Sequence, residues 1–368
     1  MTHIVVLGAG YSGQLAANLA ARRVDARVTL VNERDTFVER VRLHQLAAGQ
    51  RLRARPIQDL LRGTGAKLVV GRVNRIDRAA HTVVLATGEQ IHYDTLIYAL
   101  GSHADLASVP GVAEHAYPVA GAEHAARLRE RVAAGGTVTV VGGGLTGLEA
   151  ATELAESHPD LKVRLLTDDE LGARLSERGR AHLRRVFARL GIEVRDSTLV
   201  AEVRADGVVL ADGSHVASDV VVWTTGFTVP RLAAEAGLAV DPHGRMVVDE
   251  TMRSVSDPAV YGIGDAAAVR RPDGQELRMA CATGLPVAQA AVRAIAARRA
   301  GREPKPFRFR YVNQCISLGR RDGLIQFVRA DDTPKEAVLT GRTAALYKET
   351  VVRVATWVQR HPGVPTSL

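Results

Sequence analysis

The 368-residue chain is poor in cysteine and has no long apolar segment. Its two cysteines, Cys281 and Cys315, are too few for a disulfide framework and too far apart for a CxxC pair, which argues against a dithiol mechanism. No apolar run approaches the roughly 18 residues of a membrane-spanning helix. The chain enters its first apolar strand without the charged and hydrophobic regions of a signal peptide. These absences predict a cytoplasmic protein.

Lysine is also scarce, since only five of the 48 basic residues are lysine. A formal net charge of +8 is compatible with nucleic acid or an anionic membrane as a partner. The arginines are scattered along every segment, however, so we expect no nucleic-acid partner. Arginine clusters within 51–55, 298–302 and 308–310 leave two alternatives, which are solvated faces or contact with anionic lipid or an acidic protein.

The sequence does, however, contain the same glycine pattern twice. The stretches IVVLGAGYSG (4–13) and VTVVGGGLTG (138–147) each lead from an apolar segment through GxGxxG into an alanine-rich helical segment. In such a turn the first glycine permits the bend, the second lets backbone approach a pyrophosphate, and the third lets helix pack on strand. The helix that follows directs unpaired N–H groups at the phosphates. Two such turns predict two bound dinucleotides.

An acidic residue follows each turn at the distance expected for a ribose contact. Glu33 ends the strand RVTLVNE, and Asp168 holds the same place in KVRLLTDD. A carboxylate there accepts ribose hydroxyls and repels a 2′-phosphate, so the second site is predicted to prefer NADH to NADPH. The alternative for each residue is a solvated carboxylate at a strand end, and Asp169 competes with Asp168 for the role.

The repetition continues beyond the turns. The segments TVVLATGEQIHYDTLIYALG (82–101) and GVVLADGSHVASDVVVWTTG (207–226) align without a gap, each with a hairpin turn, an aspartate, an apolar strand and a closing glycine. We therefore predict the α/β class, with two Rossmann-like dinucleotide-binding domains and a small C-terminal α+β segment.

The expected elements follow from the periodicity of the apolar residues. The first module is predicted to contain strand 3–7, helix 12–23 and strand 27–32, and the second strand 137–141, helix 146–157, strand 162–166 and helix 176–190. The C-terminal segment is predicted to contain strand 307–311, a hairpin near 320–323 and helix 343–359. One face of that helix is expected to carry Ala344, Tyr347, Val351, Val354, Ala355 and Val358. Such a face is core, a dimer surface or a membrane-docking surface.

A third glycine-containing stretch, VYGIGDAAAV (260–269), follows both modules. Its glycines allow close approach of a ligand, and Asp265 can accept a hydrogen bond from a sugar-alcohol hydroxyl or cap a helix. A further helix is expected to begin near Leu285, with Pro286 in its first turn, and to end near Gly301. Its N-terminus would then support negative charge on a flavin.

Taken in order, GAGYSG, YALG, GGGLTGLE, WTTGF and YGIGDAA resemble the motifs of the two-dinucleotide-binding-domain flavoproteins. The resemblance implies FAD on the first module and NAD(P)H on the second, with no metal. It also implies an FAD-binding domain made of 1–112 and 228–306, an NAD(P)H-binding domain of 113–227, and a C-terminal hairpin-and-helix domain of 307–368.

Two narrower resemblances lie in the last third of the chain. LPVAQAAVR (285–293) is similar to the LPxAQxAxQ stretch of type II NADH dehydrogenases, which lies between flavin and quinone; Gln289 matches the first glutamine and Arg293 replaces the second. SLGRRDGLIQF (317–327) resembles the C-terminal part of the ferroptosis suppressor protein, also called apoptosis-inducing factor 2. Thr2 stands where the myristoylation signal of that relative requires glycine.

These resemblances assign roles to single residues. Glu149, at the nicotinamide end, and Gln289 are the predicted catalytic residues, while Arg42 is either a pyrophosphate ligand or solvated. The residues predicted to bind the two cofactors are Gly8, Gly10, Tyr11, Ser12, Gly13, Glu33, Arg34, Arg42, Val73, Ala99, Gly101, Gly264, Asp265, Gly142, Gly144, Leu145, Thr146, Gly147, Asp168, Gly226 and Leu285.

The predicted function is that of an FAD-dependent NADH oxidoreductase that passes hydride from NADH to flavin N5 and then electrons to a quinone or similar small acceptor. Facing modules can hold the reacting atoms about 3 to 3.5 Å apart, which supplies much of the acceleration. One alternative is a reductase of a ferredoxin- or rubredoxin-type protein, docked either by Arg320 and Arg321 or by the arginine cluster at 51–55. Another is a nucleotide-regulated flavoprotein of the apoptosis-inducing-factor type. Peripheral membrane contact and a homodimer are further options.

Overall fold

The computed structural model describes residues 1–366, with the side chain of Cys281 outside that description. The strands are β1 (His3–Leu7), β2 (Arg27–Asn32), β3 (Lys67–Val70), β4 (Val73–Asp77), β5 (Thr82–Leu85), β6 (Gln90–His92), β7 (Thr95–Tyr98), β8 (His103–Ala104), β9 (Ala116–Pro118), β10 (Thr137–Val141), β11 (Lys162–Leu166), β12 (Glu193–Arg195), β13 (Val200–Arg204), β14 (Gly207–Leu210), β15 (His215–Ala217), β16 (Val220–Trp223), β17 (Phe227–Thr228), β18 (Met246–Val247), β19 (Val260–Gly262), β20 (Ala267–Ala268), β21 (Asn313–Ser317), β22 (Gly323–Val328) and β23 (Pro334–Thr340). The helices are α1 (Tyr11–Arg23), α2 (Leu43–Ala47), α3 (Ile57–Leu61), α4 (Val112–His115), α5 (Ala122–Val132), α6 (Leu145–Ser157), α7 (Glu177–Arg189), α8 (Leu232–Glu235), α9 (Cys281–Arg299) and α10 (Gly341–Trp357). Short 3₁₀ turns cover Arg40–Arg42 and Gly264–Ala266.

The first nucleotide-binding module is built on a parallel sheet with strand order β19, β7, β1, β2, β3. Every residue of β1 is buried, as expected for a parallel strand covered on both faces. The edge strand β19 follows the second module in sequence but pairs with β7, so the chain returns to its first sheet after building the second.

The second module repeats this arrangement in a parallel sheet with strand order β12, β11, β10, β16, β9. Here β10 lies between β11 and β16, just as β1 lies between β2 and β7. Each module also carries a three-stranded antiparallel sheet, β4 to β6 in the first and β13 to β15 in the second. The predicted α/β class is therefore confirmed.

The two aspartates that the repeat placed before its closing strands have the same structural role. An oxygen of Asp94 accepts a hydrogen bond from the backbone N–H of His3 at 2.7 Å. Asp219 accepts one from the N–H of Thr137, also at 2.7 Å. Each carboxylate thus satisfies the first N–H of the central strand in its module. The internal repeat therefore extends to single hydrogen bonds.

The start of α9 differs from the prediction, because the helix begins at Cys281 and Pro286 lies inside it. The extra turn forms because the hydroxyl of Thr283 donates to the carbonyl of Ala280 at 2.7 Å, and the N–H of Gly284 bonds to the same carbonyl at 3.1 Å. The predicted end is confirmed, since α9 ends at Arg299.

The predicted strand at 307–311 is wrong. This stretch is irregular, and its alternating aromatic residues pack on one another, with ring centroids 6.2 Å apart for Phe307 and Phe309 and 4.9 Å apart for Phe309 and Tyr311. The period of two therefore reflects aromatic packing instead of strand pairing. The predicted hairpin is confirmed as β21 and β22, and the sequence reasoning missed the third strand, β23.

The C-terminal segment connects both modules. Ile316, Leu318 and Leu324 join the core of the second module, whereas Val358 joins that of the first. The predicted apolar face of α10 is divided, because Ala344 and Val358 are buried while Tyr347, Val351 and Val354 are exposed. Within residues 1–366, no helix combines the length and apolarity needed to cross a membrane.

Candidate cofactor and active site

The first glycine turn has the geometry that its sequence predicted. Gly8 has a φ of +93°, and a Cβ on it would lie 2.5 Å from the carbonyl oxygen of Ala99. A Cβ on Gly13 would overlap the carbonyl of Gly8, so α1 packs directly on the turn. A Cβ on Gly10, in contrast, would meet no protein atom within 4 Å. Gly10 is therefore required only if something outside the chain fills that space.

The second turn reproduces each of these features. Gly142 has a φ of +117° and lies against Thr224; a Cβ on Gly147 would overlap the carbonyl of Gly142, and a Cβ on Gly144 would meet nothing within 4 Å. The additional Gly143 has its own explanation, because a Cβ there would overlap the side chain of Thr167.

Both turns fit a dinucleotide pyrophosphate. α1 and α6 begin at N-caps Gly10 and Gly144, and neither cap makes a side-chain hydrogen bond. The first N–H groups of each helix therefore have no capping side chain, as an anion-binding helix N-terminus requires. Tyr11 and Ser12 start α1, and Leu145 and Thr146 start α6.

The strand ends beside the turns hold the two predicted ribose acids. Glu33 directly follows β2, and its side chain is 55% exposed beside Arg34, which bonds to Glu123 at 2.9 Å. Asp168 is likewise exposed after β11. Sequence reasoning missed Asn32, whose side-chain oxygen accepts a hydrogen bond from the N–H of Ala9 at 2.9 Å and so holds the first turn in place.

Asp265 lies where the 3₁₀ turn meets α9. Its carboxylate accepts a hydrogen bond from the hydroxyl of Ser102 at 2.8 Å, and Arg40 donates to the carbonyl of Ser102. Burial lowers the pKa of Arg40, and the charge of Asp265 opposes this shift. A Cβ on Gly264 would lie 3.0 Å from the hydroxyl of Ser12, so the structure brings the predicted flavin contacts of α1 and the 3₁₀ turn together. Neither Ser102 nor Arg40 was predicted, because neither residue belongs to a sequence motif.

Other predicted cofactor residues are described by their burial or backbone conformation alone. Ala99 and Gly101 follow β7, and Gly101 has a φ of +68°. Gly226 has a φ of +72° and lies against Asp105. Val73 and Leu285 are buried in apolar clusters of the first module.

Glu149 lies at the meeting point of the two modules and the C-terminal segment. It is buried on α6 and accepts a hydrogen bond from the N–H of Ser317 on β21 at 3.0 Å. The ammonium of Lys348, on α10, lies 3.1 Å from the same carboxylate oxygen, Oε1. Burial opposes ionisation of Glu149, but the charge of Lys348 and the hydrogen bond from the Ser317 N–H favour the carboxylate, and the pKa of Glu149 is lowered. The predicted nicotinamide contact is thus a buried anion paired with a cation.

Gln289, the second predicted catalytic residue, is bonded to the C-terminal tail. Its amide nitrogen donates to the carbonyls of Pro362 at 3.0 Å and Val364 at 2.6 Å, and its oxygen accepts from the N–H and hydroxyl of Thr366 at 3.2 and 3.1 Å. The side-chain amide is only 2% exposed. Contact between Gln289 and an acceptor therefore requires the tail to leave this position.

Arg42 is similarly engaged within the chain. Its guanidinium binds Glu349 with two hydrogen bonds of 3.0 and 2.7 Å and lies 3.2 Å from Glu39. These carboxylates outweigh the effect of burial and raise the pKa of Arg42. The structure thus places Arg42 in an ion-pair network that joins the first module to α10.

The match to known proteins agrees with this geometry. A model of the family described as pyridine nucleotide-disulphide oxidoreductase matches residues 2–294. The chain belongs to this family. It is an NAD(P)H-dependent flavoprotein oxidoreductase, and the family's use of FAD with NADH confirms the two cofactors predicted from the sequence.

Relatives of this chain include NADH dehydrogenase-like proteins. One from Mycobacterium tuberculosis is 32% identical over 312 residues, which cover 78% of each chain. A type II NADH:quinone oxidoreductase from Haemophilus influenzae is 23% identical over 380 residues, covering 86% of this chain and 85% of its own. The structure of NDH2 from Plasmodium falciparum in complex with NADH superposes with a TM-score of 0.82 at 14% identity, covering 98% and 96% of the two chains, which shows a shared fold.

Proposed function

We propose that this chain is an FAD-dependent NADH:quinone oxidoreductase, with FAD on the first glycine turn and NADH on the second. The observation that carries the proposal is the ion pair between buried Glu149 and half-buried Lys348, where both modules and the C-terminal segment meet. When bound, FAD supplies the two-electron chemistry that links hydride donation by NADH to reduction of an acceptor. Reduction of a quinone also needs a proton, and this pair can hold one near the junction.

The residues that would hold FAD come from both parts of a discontinuous domain. Gly10 and the N–H groups that start α1 would receive the pyrophosphate, and Glu33 would accept the ribose hydroxyls. Asp265, oriented by Ser102, would accept a hydroxyl of the ribityl chain. The pairing of β19 with β7 supports an FAD-binding domain of 1–112 and 228–306, a separate NAD(P)H-binding domain of 113–227 and a C-terminal domain of 307–368.

The second module would bind NADH in the same way. Gly144 and the start of α6 would receive its pyrophosphate, and Asp168 would accept the ribose hydroxyls and repel a 2′-phosphate. Glu149, two residues beyond the last glycine, would face the nicotinamide end, and its ionised carboxylate would be held by Lys348 and Ser317.

Quinone as the acceptor is supported by two observations. The relative from Haemophilus influenzae is named a type II NADH:quinone oxidoreductase. In addition, α10 exposes a set of large apolar side chains beside Arg342, Arg353 and Arg360. Such a surface suits contact with the membrane, in which quinones are dissolved. The set comprises Leu346, Tyr347, Val351, Val354 and Trp357, which are 39 to 69% exposed. We propose that this face rests on an anionic membrane surface.

Steady-state kinetics test the choice of acceptor. We expect the FAD-loaded protein to oxidise NADH rapidly with a water-soluble ubiquinone analogue and slowly with a ferredoxin. Rapid turnover that requires ferredoxin would contradict the quinone assignment.

Flotation with vesicles containing phosphatidylglycerol tests the membrane contact, with Leu346→Glu and Trp357→Glu expected to abolish flotation. Dimerisation through α10 in the absence of vesicle binding would instead assign this face to a second copy of the chain.

A further inference from the structure

A buried histidine lies between two carboxylates of α6. His44, on α2 of the first module, has its Nδ1 3.9 Å from Oε2 of Glu149 and its Nε2 3.9 Å from Oε2 of Glu153. The two glutamates are four residues apart and therefore project from the same face of the helix. All three side chains are buried, and Glu153 is fully inaccessible to solvent. The three groups form a continuous row from the active-site pair into the protein.

Two facing atoms of this row lack hydrogen-bond partners within the described residues. They are Nε2 of His44 and Oε2 of Glu153, which lie 3.9 Å apart. A buried polar atom left without a partner costs about 1 to 3 kcal/mol. A proton held by the carboxyl group would satisfy both atoms after a shift of about 1 Å, because it would donate to the imidazole nitrogen.

The charges around the row favour this single shared proton. Burial is the main reason why the pKa of His44 is lowered to about 4; Glu149 opposes the shift, and the cations Lys348, Arg320 and Arg42 act in the same direction as burial. Burial raises the pKa of Glu153 to about 7, with Glu156 and Glu149 adding to the rise and Arg320 and Gln50 opposing it. Between about pH 4 and 7 the imidazole is therefore neutral, and Glu153 holds the proton.

The far end of the row reaches the surface. Gln50 is only partly buried, and its side-chain amide donates to Oε1 of Glu153. Glu156 and Arg320, also on this side, are in contact with solvent. At the near end, Glu149 is paired with Lys348. A proton can thus enter beside Gln50 and leave beside the proposed redox junction.

We propose that Glu153 and His44 form a proton relay that delivers one proton from solvent to Glu149 during acceptor reduction. The inference rests on the proposed function. For a quinone the balance is NADH + H⁺ + quinone → NAD⁺ + quinol, so NADH contributes two electrons and one proton and water contributes the other proton.

Within the relay, the O–H bond of Glu153 breaks as an N–H bond forms at Nε2 of His44. The N–H bond at Nδ1 then breaks as an O–H bond forms on Glu149. Glu153 is reprotonated when the Gln50 side chain, which covers its Oε1, moves aside and admits water, and Glu149 passes its own proton to the acceptor. His44 and Glu153 touch neither the nucleotide nor the acceptor in this scheme, and they act through Glu149.

Two variants interrupt the relay with little change of shape, His44→Asn and Glu153→Gln. We expect NADH to bleach the flavin absorbance of either FAD-loaded variant at the parental rate, because hydride transfer takes no proton from solvent. Subsequent reoxidation by a soluble quinone should slow roughly 100-fold, the order of a general acid–base contribution. The matched control is His158→Asn, a histidine change directly after α6, the helix that carries Glu153. It should leave both rates unchanged.

A spectroscopic readout is independent of turnover. Near pH 6 the parent should show the infrared carbonyl band of a protonated carboxyl group, and Glu153→Gln should lack it. Parental reoxidation rates in both relay variants, or the same band in parent and Glu153→Gln, would overturn the relay. If His44→Asn does not fold, Glu153→Gln still decides the question. Failure of the parent itself to transfer electrons from NADH to any quinone would instead contradict the proposed function.

Discussion

At the scale of single residues, Asp168 is the simplest test of nucleotide choice. It occupies in the second module the place of Glu33 in the first, and it is exposed beside the turn. Loss of its charge removes the repulsion of a 2′-phosphate. We expect Asp168→Ala to reduce the ratio of kcat/KM for NADH over NADPH about 10-fold, equivalent to ~1.4 kcal/mol. Asp169→Ala is the control, because the Asp169 carboxylate accepts the N–H of Glu170 at the turn. An unchanged ratio in the Asp168 variant would assign the role elsewhere.

The buried pair His44 and Glu153 predicts opposite effects of pH on stability. The pKa of Glu153 is raised from 4.5 to about 7 on folding, so its contribution to stability is full below pH 4.5 and is lost as pH rises through 7. The pKa of His44 is lowered from 6.5 to about 4, so its contribution is full above pH 6.5 and is lost as pH falls through 4. In the parent these two effects offset one another between pH 4.5 and 6.5.

Removing one partner exposes the effect of the other. The stability of His44→Asn should fall as pH rises from 4.5 to 7, because Glu153 remains, and the stability of Glu153→Gln should rise as pH rises from 4 to 6.5, because His44 remains. Each change should be on the order of 1 to 3 kcal/mol. Urea unfolding at a series of pH values measures the free energy of unfolding directly. Parallel pH profiles for parent and both variants would show that neither group has a shifted pKa.

At the scale of structural elements, variants of the second glycine turn should affect stability and NADH binding separately. A Cβ on Gly144 meets no protein atom, so Gly144→Ala should keep the melting temperature of the parent. The same methyl group would occupy the space next to the helix N-terminus, so the Kd for NADH should rise at least roughly 10-fold.

At the same turn, the matched variant Gly147→Ala should show the reverse, with stability more affected than NADH binding. The methyl group of Gly147→Ala would overlap the carbonyl of Gly142, so the backbone of the turn must move. We expect a loss of about 1 to 3 kcal/mol in the free energy of unfolding. Calorimetry measures both stability and NADH binding. Parental affinity in Gly144→Ala would mean that the nucleotide does not approach this turn.

The elements also show what the sequence could predict. The glycine turns and the flanking strands and helices depend on residues close together in the chain, and α1, β10 and β11 lie within one residue of their predicted bounds. The prediction of a strand at 307–311 was wrong because aromatic residues that pack on one another alternate with a period of two, as the residues of a strand do. The start of α9 was misplaced because proline is common in a first turn but does not define one.

The site was less predictable than the fold for a physical reason. Glu149 has a local motif, but its partners His44, Ser317 and Lys348 come from three distant segments that only the tertiary fold brings together. Gln289 matched a motif, yet nothing local to it indicates that the tail takes up its hydrogen bonds. Side-chain pairing between remote segments has no periodicity that a sequence reveals.

At the scale of the whole molecule, the C-terminal tail is attached through Gln289. We expect Gln289→Ala to reduce the free energy of unfolding by about 1 to 3 kcal/mol, because two tail carbonyls lose their donor. Hydrogen exchange in a peptide covering residues 361–366 should accelerate. Arg293→Ala, on the exposed side of the same helix, is the control and should change stability by less than about 0.5 kcal/mol. Parental exchange of the tail in the Gln289 variant would show that other contacts hold it.

Anaerobic titration of the FAD-loaded protein with NADH tests the central claim, that two nucleotide sites in one chain exchange a hydride. One equivalent of NADH per flavin should bleach the flavin absorbance, and added quinone should restore it. A protein that does not retain FAD after reconstitution, or whose flavin absorbance NADH leaves unchanged, would contradict the account.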